Sequence, residues 1–111
     1  MTRSIEVPVL TARSRAARLR GLLGRWRLPA GHGLLLRPCR AVHTLGMTRP
    51  IDVVFVARDG RVVDLRRGLG WGRIAYCRRA AAVIELAAGD AWRLGLWRGC
   101  RVACVERGPA P

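Results

Sequence analysis

His43, Thr44, Met47 and Asp52 fall within one stretch, HTLGMTRPID, and bring together an imidazole, a hydroxyl, a thioether and a carboxylate. Asp52 is the unusual member. It opens the apolar run IDVVFV and shares a strand face with Val54 and Val56. On a core face a carboxylate has to be paired, hydrogen-bonded or protonated. Asp52 can therefore accept backbone N–H groups from the irregular 43–50 loop, pair with an arginine, or serve as a general base. Pinning the loop is the expected role. Beside His43, the base role would define a hydrolase-type site with Cys39, Thr44 or Cys77 as nucleophile. None of the three lies in a recognisable motif, and G-x-S-x-G and H-E-x-x-H are missing. The expectation is a non-catalytic accessory or binding module. Its candidate pocket consists of His43, Thr44, Met47 and Asp52, with no catalytic residue assigned.

Other chemistry is thinner. Cys39, Cys77, Cys100 and Cys104 form no C-x-x-C pair. Cys100 and Cys104 would lie about 13 Å apart on one strand face, too far to bridge. Zinc would need Cys39, His43 and two distant cysteines instead of close ligand pairs. The seven acids form no cluster for a hard cation. No metal and no cofactor are expected. The formal charge is +14, all of the basic residues are arginine, and residues 1–49 hold ten arginines against one glutamate. Codon bias would explain arginine in place of lysine, but not the shortage of acids. The alternative function is therefore polyanion (nucleic-acid) binding through Arg13, Arg15, Arg18, Arg20 and Arg25. Trp71, Trp92 and Trp97 offer stacking surfaces, although packing down the last helical turn is the simpler role for Trp92.

These residues need elements to hold them. The 111 residues fit one domain, with a core over about 5–105 and a tail at 106–111. IEVPVL reads as a first strand, placed at an edge by Pro8. Ala12, Ala16, Leu19 and Leu23 repeat at helical spacing and predict a basic amphipathic helix capped by Thr11. LLLRP is a short strand, and 39–50 is irregular. IDVVFV and RVVDL flank a turn at Asp59-Gly60, a strong hairpin signal. The glycine-rich RRGLGWG (66–72) reads as a loop. RIAYC, AAVIELA and RGCRVACVE read as further strands, and DAWRLGL as a short helical turn. The fold expected is α+β, mainly β: a compact antiparallel, barrel-like sheet with one early helix and a short late helical turn. No run reaches the roughly 18 apolar residues of a membrane span. The N-terminus lacks a signal-peptide pattern, so a cytoplasmic location is expected.

The order of RGLLGR at 20–25, RPIDVVFVARDGRVV at 49–63 and VIELAAGDAWRLGLWRGCRV at 83–102 resembles the domain of unknown function 192 family of small bacterial and archaeal proteins. The marks are Gly21-Leu22 with Gly24, Pro50-x-Asp52, Phe55, Asp59-Gly60, and Glu85-Leu86 with Gly89. The resemblance spans about Ile5 to Val105. It implies a compact, mostly β domain with an early helix, and no established activity, substrate or cofactor. Many members look exported or membrane-tethered. The family's usual Trp-Met-x-Asn-Thr segment is replaced here by His43, Thr44, Leu45, Gly46 and Met47.

Overall fold

The computed structural model describes residues 3–12, 31–44 and 49–110. Its strands are β1 (Ser4–Thr11), β2 (Gly33–Leu36), β3 (Ala41–His43), β4 (Ile51–Val56), β5 (Val62–Leu69), β6 (Ile74–Tyr76), β7 (Ala82–Ala87) and β8 (Arg101–Pro109). One short helix, α1 (Asp90–Arg93), lies between β7 and β8. Six strands form a sheet in the order β5-β4-β7-β2-β1-β8, and β3 pairs with β6 in a separate ribbon.

The sheet is mixed, not antiparallel as expected. β1 runs parallel to both β2 and β8, while β2, β7, β4 and β5 pair antiparallel. β1 is also interior, despite Pro8. The β2 ladder covers only Val9–Thr11, so Pro8 has no β2 partner at its own level and its missing N–H costs no bond there. Other expected boundaries shift as well. The irregular 39–50 stretch contains β3, the glycine-rich 66–72 stretch supplies the end of β5, and β8 continues past Glu106 to Pro109. In each case a partner strand imposes the extended backbone: β6 on β3, β4 on Leu69, and β1 on Pro109. The early helix expected over Ala12–Leu23 falls on residues outside the described ones. Ala12 itself continues the sheet by donating its N–H to the Leu35 carbonyl.

Alternation sorts the strand residues into two apolar layers. Val7, Val9, Leu35, Val54, Val56, Ile84 and Leu86 line the inner face, with Ala91 and Leu96 from the α1 region packed among them. Leu34, Leu36, Val53, Phe55 and Val83 line the other face, where Val42 and Ala75 of the ribbon cover them. The edges meet at one point only. Val62 donates to the Cys100 carbonyl, Gly99 to Val62 and Val102 to Gly60, each at 2.8 Å. A Cβ on Gly60 would sit 2.8 Å from the Val102 carbonyl oxygen, so only glycine fits this approach at its φ of +87°. Beyond Val62, β5 has no β8 partner, and the sheet stays an open, curled half-barrel instead of closing.

Candidate functional site

Asp52 points to the inner face, as its alternation with Val54 and Val56 requires, and is 1% exposed. Its neighbourhood is shaped by a bulge. Ile51 pairs with Leu69 and Val53 with Arg66, so Arg67 and Gly68 together oppose Asp52. Gly68 adopts φ +61°, and its N–H leaves the ladder and donates to Asp52 Oδ1 at 2.8 Å. Gly89 and Ala91 each donate to Oδ2 at 3.0 Å. The carboxylate thus caps α1 from a neighbouring strand, where the helix has no side-chain cap of its own. Arg67 completes the arrangement with a guanidinium bond to the Leu96 carbonyl at 2.9 Å.

Thr44 is fully buried and equally engaged. Its hydroxyl donates to the Gly70 carbonyl at 2.5 Å and accepts from the Arg73 N–H at 2.7 Å. Thr44 and Asp52 therefore hold the same segment, Gly68 to Arg73, from two sides. Among the described residues Asp52 binds the backbone N–H groups of Gly68, Gly89 and Ala91; residues 45–48 of the loop it was expected to pin lie outside them. His43 stands opposite Ile74 in the ribbon, and its Nδ1 is buried without a partner among the described residues. Met47 lies outside the described residues, as do Arg13, Arg15, Arg18, Arg20 and Arg25.

The rest of the expected chemistry is dispersed. All four cysteines are free. Burial pushes the Cys104 thiol up, against the pull of Arg37, which keeps it protonated at neutral pH and a poor nucleophile. No group of three metal-ligating side chains forms among the described residues. Leu96 packs the α1 region down and Trp92 does not: Trp92 stays 76% exposed, and Trp71 and Trp97 are also on the surface.

At the other end of the half-barrel the inner face opens into a cleft of about 1020 Å³. Leu35, Val56, Ala82 and Val102 form its floor. Arg37, Arg40, Arg58, Arg78 and Arg79 line it, carried by the turns that follow β2 and β4 and precede β7. Backbone bonds lock these turns together: Cys39 to the Ala81 carbonyl at 3.2 Å, Cys77 to Arg40 at 2.9 Å, and Ala81 to Val56 at 2.8 Å. The lining's acid, Glu106, accepts the Thr11 hydroxyl at 2.8 Å and faces Arg37 at 3.6 Å. Sequence reasoning missed this cluster because its arginines come from three separate turns. The doubled Arg78-Arg79 between two strands was the available signal.

A mixed, half-closed sheet with a plugged end and an arginine-lined mouth defines a small β domain built around a cleft. The chain belongs to the DUF192 family, described as Uncharacterized ACR, whose model matches residues 1–104. Two crystal structures are similar. One is a protein of unknown function from Novosphingobium aromaticivorans DSM 12444, with a TM-score of 0.71 and 25% identity over 84% of this chain and 71% of that one. The other, from Sinorhizobium meliloti 1021, is described as a candidate transcription regulator, with a TM-score of 0.71 and 28% identity over 84% of this chain and 78% of that one. No curated protein matches the chain. No helix among the described residues is long and apolar enough to cross a membrane.

Proposed function

We propose that this protein is a non-catalytic binding module for an anionic partner. The observation that carries the reading is how the polar groups are used. The Asp52 carboxylate and the Thr44 hydroxyl, two members of the expected pocket, are engaged in holding backbone, so neither serves as a free base or nucleophile beside His43. The acids Asp59, Asp64, Asp90 and Glu106 each have an arginine within salt-bridge distance, while Arg40, Arg58, Arg78 and Arg79 have no ion pair among the described residues. His43, in the ribbon, stays in the proposal as a second candidate contact, together with Met47, which lies outside the described residues. The Sinorhizobium protein's description favours DNA as a second reading of the anionic partner, with Arg13, Arg15, Arg18, Arg20 and Arg25 as its contacts.

The test compares binding with turnover. At constant ionic strength, tripolyphosphate or a short DNA duplex should raise the melting temperature saturably, since a ligand of the native state stabilises by mass action. Glucose should not. Nitrophenyl acetate and nitrophenyl phosphate should be hydrolysed no faster than in buffer. No stabilisation by either anion, or a turnover lost in His43→Ala, would overturn the reading.

A further inference from the structure

We infer that the arginine-lined cleft is a site for a compact polyphosphate group, free or carried on a nucleotide. This rests on the anion-binding reading and gives it a location and a ligand class. Among the described residues, five arginines against one glutamate leave the lining at +4. Arg40, Arg58, Arg78 and Arg79 have no ion pair among the described residues, and Arg37 has only the already bonded Glu106. Gathering like charges opposes folding. They are nonetheless assembled, because the three turns that carry them are bonded to one another through their backbones.

Size and chemistry narrow the ligand. A cleft of about 1020 Å³ matches one small molecule, not a length of duplex. Guanidinium forks pair with phosphate oxygens bidentately. The apolar floor of Leu35, Val56, Ala82 and Val102 lies beneath these exposed arginines, so an anion they hold sits with one side turned from water. A single carboxylate would leave most of the +4 uncompensated, whereas two or three linked phosphates match it. Among the described residues no Trp, Tyr or Phe lines the cleft, so the phosphates themselves carry recognition.

The test is calorimetric titration of the full chain with sodium tripolyphosphate and, separately, with ATP at fixed ionic strength. Saturable one-to-one binding of both is expected. Arg78→Ala with Arg79→Ala should weaken tripolyphosphate about tenfold or more, while the charge-matched control Arg3→Ala with Arg73→Ala changes it less than about twofold. Arg78→Lys with Arg79→Lys should restore only part of the loss, because an ammonium lacks the fork. Melting curves of every variant report folding independently. Equal affinities for the two ligands would assign the site to phosphates alone, and tighter ATP binding would assign it to a nucleotide; both support the site. If the cleft double and the control lose affinity equally, the binding is diffuse charge and the cleft site is wrong, although the anion-binding reading survives. If the unaltered protein binds neither ligand, the cleft site is overturned; the anion-binding reading falls too only if duplex DNA also fails to stabilise the protein.

Discussion

The two ends of the half-barrel treat polar groups in opposite ways. At the closed end, Asp52 and Thr44 are buried and their oxygens are engaged with backbone of Gly68 to Arg73 and the start of α1. At the open end, four arginines stand around an apolar floor without an ion pair among the described residues. Buried polar groups that are fully satisfied stabilise and specify a structure. Charges assembled and left uncompensated stabilise nothing by themselves. Two of the residues that looked most chemical in the sequence, Asp52 and Thr44, hold backbone, and the arginines at the open end are plain surface residues.

The largest expected effect is at the closed end. Asp52→Asn keeps the shape but puts an amide N–H₂ against at least one backbone N–H. Urea denaturation should show a loss of about 3 kcal/mol, the scale of a broken buried charge-assisted network. An unchanged midpoint would remove the structural role and reopen Asp52 as a ligand or base.

Asp64 gives an intermediate case, where charge is present but paired. Burial would raise its pKa, yet the Leu65 N–H and the Arg66 and Arg98 guanidiniums outweigh this and hold it below the usual carboxylate range. The folded pKa being the lower one, the contribution is complete above the ordinary value near 4 and is lost as pH falls through the folded value. Asp64→Asn should cost about 1 kcal/mol at neutral pH, since both arginines are well exposed, and it should flatten the acid limb of a stability–pH profile. Parallel profiles for both proteins would refute the pairing.

The smallest effect is at the open end and has the opposite sign. Arg78→Ala with Arg79→Ala should leave stability unchanged or raise it by a few tenths of a kcal/mol, most at low salt, because repulsion is relieved. A clear destabilisation would make these arginines part of the architecture and erase the contrast between the two ends.

Much of this was open to local reading. The IDVVFV–RDG–RVV hairpin, the inner-face position of Asp52, the short turn at Asp90 and most strand positions depend on alternation and turn chemistry within a few residues, and they appear as expected. The parallel pairing of β1 with β2 and β8 does not, because sheet order depends on contacts between residues far apart in the chain. The donors to Asp52 were out of reach for the same reason: Gly68, Gly89 and Ala91 lie 16 to 39 positions away. Composition by itself determined that this chain is strongly basic, and alternation determined where most of its strands run. Only the tertiary structure decided where charge is spent and where it is left over. A carboxylate's role depends on which N–H groups surround it, and a cleft exists only once distant turns are bonded side by side.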